Sequence, residues 1–204
     1  MDTFLALNRK KLRFAFFACS LIFLGLAGIV LTIAYFTGNS PNAKLLFAIV
    51  AGAGIVFPLF IILLAYMGWH LKRLARKRAF SKSPFDQLES IGFYKSYLNL
   101  KTKWFFTEEI KEGKINGFTL TADINRETNR IIEIEVPVEW QQLNKEEYKR
   151  LSEKFKQFNI EFRIGSLVKI YDTKRLTFHT IQELEGDLKH FTQTLRQEKF
   201  EPKK

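Results

Sequence analysis

The sequence predicts an α+β protein in which a two-helix transmembrane hairpin precedes a cytosolic domain of antiparallel sheet packed with helices. Three observations predict it: two long uncharged apolar runs, a concentration of basic residues around them, and alternating strand and helix patterns after residue 84. Of the net charge of +11, residues 1–83 carry eleven basic residues against one acid, and the remainder is nearly neutral. Because the folded half lacks an excess of positive charge, nucleic-acid binding is not expected.

Both apolar runs are long enough to cross a bilayer. Residues 14–36 form an uncharged stretch of 23 residues, about 34 Å as a helix against a hydrocarbon core of roughly 30 Å. Residues 45–69 form a second stretch of 25 residues, and the eight residues 37–44 between them are rich in turn formers. The first run exceeds the apolar core of a signal peptide, so a membrane-spanning hairpin is predicted.

Basic residues beside the two runs predict the orientation of the hairpin. They are Arg9, Lys10, Lys11 and Arg13 before the first run, Lys44 between the runs, and Lys72, Arg73, Arg76, Lys77, Arg78 and Lys82 after the second. Since positive loops stay inside, both termini are expected in the cytoplasm, with the protein in the plasma (inner) membrane. The expected segments are a cytosolic N-terminus 1–13, helix 14–36, external loop 37–44, helix 45–69, juxtamembrane segment 70–83 and cytosolic domain 84–204.

Residues within the two runs favour a structural role for the hairpin. No Asp, Glu, Lys, Arg or His lies inside either run, which argues against a transporter. Pro58 removes one backbone donor, so a kink is predicted there unless the partner helix or a tilt accommodates the proline. Tyr66 and Trp69 are expected near the interfacial aromatic belt. Small residues at helical spacing are expected to pack the two helices together, with homo-oligomerisation as the alternative; they are Gly25, Gly28, Thr32, Ala48 and Gly52.

A basic cluster follows the second run on a continuing helical pattern. It comprises Lys72, Arg73, Arg76, Lys77 and Arg78. Such a cluster can bind anionic lipid headgroups, at about 1 kcal/mol per basic residue. Fixing the topology is the simpler interpretation, because it requires no particular lipid.

The first half of the domain is predicted to form a short helix followed by a meander of antiparallel strands. Ser83 is expected to cap a helix from Pro84 to about Ile91. Asn116-Gly117 predicts a type I′ turn between strands 108–115 and 118–124, and 125–129 predicts the turn into a strand starting near Ile132. The aromatic segment 93–106 shows neither the helical nor the strand periodicity of apolar residues, so no secondary structure is predicted for it.

The second half predicts two capped helices and more sheet. Capping boxes at Asn144 with Glu147, and at Thr180 with Glu183, begin helices with apolar stripes. Between them, strands are expected at 160–164, 167–171 and 176–179, and the tail from 198 to 204 is expected to be frayed.

Residues that could carry chemistry are sparse and scattered. There is no zinc-ligand spacing, no phosphate-binding glycine loop and no nucleophile elbow, so no catalytic, cofactor or metal residues are assigned. Glu133 and Glu135 share a strand face about 7 Å apart, which suits paired carboxylates and equally suits a solvated face. Asp123 and His179 are the remaining candidates for a site assembled from distant residues.

Three functions follow, in decreasing order of preference. The first is a non-catalytic module anchored in the bilayer that binds another protein, because catalytic signatures are lacking. The second is a membrane-tethered small-ligand sensor or enzyme, and the third is a structural subunit of a membrane complex. If Trp104 or Tyr97 proves exposed beside Lys101 and Lys103, that surface would be a protein-binding or membrane-facing patch.

Overall fold

The chain forms two compact units in the computed structural model, which describes residues 3–125, 127–139 and 144–203. The hairpin unit comprises the described residues up to Lys72 together with Asn99–Glu108. The sheet unit comprises Arg73–Leu98 and the described residues from Glu109 onward. Its sheet and helices give the α+β class that the sequence predicts.

Two long apolar helical stretches build the hairpin unit. Helix α1 runs over Phe4–Phe36, and the second stretch consists of α2 (Ala43–Ala51), a π-helical segment (Gly52–Val56) and α3 (Phe57–Phe80). Both stretches are long and apolar enough to cross a membrane. Helix α1 begins ten residues before the uncharged run because the Thr3 side chain caps it, accepting from the Ala6 amide, and no helix breaker intervenes.

A change of helical register precedes the proline in the second stretch. The π-helical segment ends just before Pro58, and the Phe57 amide donates to the Gly52 carbonyl. In a regular α-helix the Gly54 carbonyl would pair with residue 58, which as proline has no N–H. The Ser20 hydroxyl of α1 donates to that carbonyl instead, at 2.8 Å. A π segment and a neighbouring hydroxyl therefore accommodate the proline.

Seven strands form one open antiparallel sheet. They are β1 (Tyr94–Leu98), β2 (Glu108–Ile115), β3 (Phe118–Ile124), β4 (Ile131–Glu139), β5 (Ile160–Arg163), β6 (Ser166–Asp172) and β7 (Glu201–Pro202). The order is β1-β2-β3-β4-β6-β5, and β7 pairs with β4. Asn116 and Gly117 adopt φ of 50° and 83° between β2 and β3, as the type I′ turn requires.

Helices cover the apolar face of the sheet. Helix α4 (Lys145–Lys156) and helix α5 (Ile181–Gln197) begin at the two predicted capping boxes, both of which are confirmed. The core is formed mainly by β3, β4, β6 and α5, and its fully buried side chains include Phe118, Leu120, Ile134, Leu167, Leu184 and Leu188. The alternation predicted for the meander is therefore confirmed in the sheet unit.

Several local predictions are wrong where tertiary contacts decide the structure. Ser83 does not cap the helix that follows it, because its hydroxyl donates to the His179 carbonyl; that helix is a 3₁₀ helix over Phe85–Ile91. No strand forms over 176–179, and Ile164, predicted at a strand end, lies fully exposed in the β5–β6 turn.

The described part of the C-terminal tail, up to Lys203, is ordered by pairing, contrary to the prediction of fraying. Phe200 is buried in the core, and strand β7 then pairs with Val138 and Glu139 of β4. The predicted turn 125–129 includes Arg126, which lies outside the described residues.

Candidate functional site

A loop between β1 and β2 packs against the helices of the hairpin unit. This 99–108 loop is held first by Lys11 of α1. The Lys11 ammonium donates to the Asn99 carbonyl, to the Phe105 carbonyl at 2.8 Å and to the Thr107 hydroxyl at 2.8 Å. All three donors of the ammonium are thereby used inside one unit.

Side chains of α1 and α3 also bind the last residues of the same loop. The Thr107 amide donates to the Asn8 side-chain oxygen at 2.7 Å, and the Trp69 indole donates to the Thr107 carbonyl at 2.9 Å. The Phe4 ring contacts those of Tyr66, Trp69 and Phe106, with centroids 5.1 to 5.3 Å apart. Trp69, expected in a lipid-facing belt, is instead buried against this loop.

The outer side of the 99–108 loop presents large apolar side chains. Leu100 is 62% exposed, Trp104 78% and Phe105 64%, and Lys101 and Lys103 between them are exposed as well. The Trp104 ring meets the Phe14 ring edge-on, with centroids 5.0 Å apart. The exposure of Trp104 beside two lysines is the condition under which the sequence suggested a binding patch.

The five basic residues of the juxtamembrane cluster divide into different environments. Lys72 pairs with Glu108 at 2.6 Å in the hairpin unit. Arg76 is 7% exposed and forms two bonds of 2.6 and 2.8 Å with the Asp123 carboxylate in the sheet unit. Lys77 and Arg78 are exposed, and Arg73 is half-buried. Only part of the predicted headgroup site is therefore presented at the surface.

The small residues predicted at the helix contact lie mostly elsewhere. Gly25, Gly28, Thr32 and Ala48 are exposed, and a Cβ at either of those glycines would meet nothing within 4 Å. Gly52, half-buried, has the Phe57 ring 4.0 Å from the position of such a Cβ. The close approach occurs at Gly54, where Leu24 lies 3.5 Å from an added Cβ and Ser20 donates to the carbonyl.

The carboxylates considered for acid–base chemistry are neutralised in pairs. Asp123 and Glu133 are directly opposite on β3 and β4, and Asp123 is bound by Arg76. Glu133 accepts two bonds of 2.6 and 2.7 Å from Arg163. The hydrogen bonding of Arg163 to the Glu133 carboxylate raises the pKa of Arg163. Glu133 is therefore the acceptor of a bidentate ion pair with Arg163.

The other two acid–base candidates, Glu135 and His179, do not share a cleft with Asp123 and Glu133. Glu135 lies half-buried on β4, opposite Val168. His179 is exposed just before α5, where its backbone amide donates to Glu183. Among the described residues, no cluster of three or more His, Cys, Asp or Glu could hold a metal ion.

The sheet unit contains a cleft of about 400 Å³ with a buried ion pair in its wall. Lys169 is buried and donates to Asp187 at 2.6 Å, and the Tyr171 hydroxyl donates to the other Asp187 oxygen at 2.6 Å. Burial, and then the charge and hydrogen bond of Asp187, raise the pKa of Tyr171 well above its usual value. Further lining residues are Phe158, Asn159, Ile170, Asp172, Arg175, Leu176, Thr177 and Phe178. None of Asp123, Glu133, Glu135 and His179 lines this cleft.

Sequence reasoning missed the residues that hold the 99–108 loop. Phe4, Asn8 and Lys11 recur at spacings of four and three and so share one face of a helix. That spacing was a usable signal for a shared helix face. No comparable signal marks the group formed by Lys169, Tyr171 and Asp187, because the fold brings together β6 and α5.

In comparisons with protein-family models, with curated proteins and with solved structures, nothing matches this chain.

Proposed function

We propose that this chain is a two-span protein of the plasma (inner) membrane, with both termini in the cytoplasm, whose sheet unit is a non-catalytic module that binds another protein. The exposure of the two long helical stretches carries the proposal. Only 6% of the apolar window of the first stretch and 11% of the second is buried within the molecule. A core helix of a soluble protein would be mostly buried, so lipid is the natural environment of these side chains.

The neutralised carboxylates and the open sheet support binding over catalysis. Asp123 and Glu133 are each engaged by an arginine, an arrangement typical of structural ion pairs. Strand β5 is the terminal strand of the sheet order, and Ile164 immediately after it is fully exposed. Terminal strands can accept an added strand from a partner, and an exposed apolar side chain beside one adds contact area.

Cysteine accessibility in intact cells tests the topology. Cys19 is the one cysteine of the chain, so Cys19→Ala gives a background for single-cysteine variants. We expect Asn39→Cys, in the loop between the spans, to react with a membrane-impermeant maleimide in intact cells. Ile164→Cys should react only after permeabilisation. The reverse pattern, or extraction of the intact chain by carbonate, would contradict the proposal.

A photo-crosslinker at Ile164 tests the binding module. With benzoyl-phenylalanine at this position, we expect one discrete adduct to another protein in native membranes. The same amino acid in place of exposed Lys149 on α4 is the matched control and should not give that adduct. Adducts to the chain alone at both positions would argue against the module. Sizing the extracted particle separates a transient partner from a structural subunit of a stable complex.

The cleft of the sheet unit favours a second candidate, a membrane-tethered sensor of a small ligand. Its volume of about 400 Å³ falls in the range of small-molecule sites. Its walls combine the rings of Phe158, Tyr171 and Phe178 with charges of both signs, since Lys169 and Arg175 balance Asp172 and Asp187. A small zwitterion with an apolar ring fits this lining.

Free phenylalanine is a suitable probe for the cleft. We expect it to raise the thermal unfolding temperature of the full chain in nanodiscs, because it binds only the folded state. Arg175→Gln should reduce that shift, whereas Lys174→Gln, an exposed neighbour outside the lining, should not. Equal shifts in both variants, or no shift in the unmodified chain, would remove this candidate.

A further inference from the structure

The exposed rim of the 99–108 loop is left unexplained by the two spans alone. We propose that this loop is a third membrane contact, which inserts its rim, formed by Leu100, Trp104 and Phe105, into the headgroup region of the cytoplasmic leaflet and binds anionic headgroups through Lys101 and Lys103. The inference rests on the proposed two-span topology. It adds a lipid-binding site outside the juxtamembrane cluster.

The contact between Trp104 and Phe14 sets the depth of the rim. Phe14 is the first residue of the uncharged run, and Arg13 immediately before it is exposed. The bilayer interface of a spanning α1 therefore falls at Phe14. Because the Trp104 ring packs on Phe14 with centroids 5.0 Å apart, the rim lies at that level.

The chemistry of the rim matches the bilayer interface. Tryptophan is enriched where hydrocarbon meets headgroups, since its ring is apolar and its N–H remains in the polar layer. Lys101 and Lys103 are both exposed and precede Trp104 in the chain, between Leu100 and Trp104. Each lysine near an anionic surface is attracted to it electrostatically. Aromatic residues next to lysines are typical of interfacial lipid-binding segments.

The loop is held so that its apolar side chains remain on the outside. Lys11 binds two of its carbonyls and the Thr107 hydroxyl, and Asn8 and Trp69 bind the Thr107 backbone. The polar backbone thus faces the helices, while Trp104, edge-on to Phe14, and Phe105 remain largely exposed. A loop fixed in this way loses little conformational entropy when its rim is inserted.

Fluorescence from an environment-sensitive label tests the insertion. The probe is NBD attached to Leu100→Cys in the Cys19→Ala background, in nanodiscs of phosphatidylcholine with or without phosphatidylserine. We expect blue-shifted emission and, with lipids that carry a nitroxide near the headgroup, about twofold stronger quenching than for NBD at Ile164→Cys. Phosphatidylserine should increase both effects.

Substitutions at the rim separate insertion from mere proximity. Lys101→Gln with Lys103→Gln should abolish the phosphatidylserine dependence and retain the blue shift. Trp104→Ser with Phe105→Ser should reduce the blue shift itself. Because these side chains are exposed, the fold is expected to tolerate both pairs. Emission from Leu100→Cys equal to that from Ile164→Cys in both lipid compositions would overturn the inference.

The native Cys19 distinguishes failure of this inference from failure of the topology. NBD on Cys19, inside the first span, should be quenched by nitroxides attached along the acyl chains. If Cys19 is quenched and Leu100→Cys is not, the spans stand and the loop does not insert. If neither is quenched, the two-span topology itself fails. A label at position 100 that is aqueous in nanodiscs and shielded in native membranes would indicate a protein occupant and would also overturn the inference.

Discussion

Gly113 on β2 shows how a single residue can be fixed by a neighbouring ring. A Cβ at this buried position would lie 2.8 Å from two atoms of the Phe93 ring. Non-bonded carbon atoms do not approach each other that closely, so the Phe93 ring or strand β2 would have to move. The glycine is therefore required for packing, and its role could not be inferred from the strand pattern around it.

Replacing Gly113 by alanine should destabilise the protein. We expect Gly113→Ala to lower the free energy of unfolding by about 1 to 3 kcal/mol, because the added methyl overpacks the contact with Phe93. Gly186→Ala is the matched control, since this exposed glycine in α5 has nothing within 4 Å of an added Cβ. It should stabilise the protein by about 0.5 to 1 kcal/mol. Chemical denaturation of the full chain measures both, and equal effects would contradict the argument.

Tyr171 should remain protonated until the protein unfolds in alkali. Burial and the adjacent Asp187 raise the pKa of Tyr171 in the folded state above the value of about 10 of an unfolded tyrosine. The stability that the neutral phenol contributes is therefore fully present below pH 10 and decreases as the pH rises above it. Absorbance titration of tyrosinate should show one residue ionising only with unfolding. Tyr171→Phe should lack that step; a normal titration of all six tyrosines would contradict it.

At the scale of elements, the π-helical segment of the second stretch illustrates a local defect that a neighbour corrects. Pro58 deprives the helix of one donor, and the Ser20 hydroxyl supplies a donor to the Gly54 carbonyl at 2.8 Å. Inside a bilayer no water can take that role, so the hydroxyl must come from the protein. Ser20 and Pro58 therefore act together, because the serine hydroxyl compensates for the donor that the proline lacks.

A double-mutant cycle measures the energetic coupling between Ser20 and Pro58. We expect Ser20→Ala to lower the free energy of unfolding by about 0.6 kcal/mol, as is usual for a hydrogen bond between membrane helices. In a Pro58→Ala background the restored amide can pair with the Gly54 carbonyl, so Ser20→Ala should cost less. Unfolding in mixed micelles with increasing denaturing detergent provides the measurement. Additive effects of the two substitutions would show that the serine and the proline act independently.

At the scale of the whole molecule, the asymmetric distribution of charge supports the proposed orientation. Eleven basic residues lie in residues 1–83, and Lys44 alone falls between the two apolar runs. The imbalance favours retention of both flanking segments on the cytoplasmic side during insertion.

Charges added to the loop between the spans should weaken this orientation. We expect Asn39→Lys with Ser40→Lys to produce a measurable fraction of inverted chains, because the loop then competes with the flanking basic segments. An external reporter enzyme fused to the C-terminus should gain activity in that variant. Asn39→Gln with Ser40→Thr is the control and should leave the reporter inactive. Activity in the unmodified chain would contradict the assigned orientation.

Patterns along the chain were sufficient for elements defined by their own residues. The bounds of β2 and β3, the turn at Asn116 and Gly117, and the capping boxes of α4 and α5 were predicted because each depends on local side chains and period. Patterns failed for Ser83, for the segment 176–179 and for the C-terminal tail. In those cases a partner distant in sequence takes the hydrogen bonds or buries the side chain.

By itself, the sequence determined the α+β class, the two helices able to span a membrane and the strand periodicity of the meander, because hydrophobic pattern and turn residues act over a few positions. Only the tertiary structure decided which charges are neutralised, as with Arg76 on Asp123, and which aromatic side chains stay outside, as with Trp104. The physical reason is that a buried polar group pairs with whichever group the fold places next to it. That group can lie at any distance along the chain.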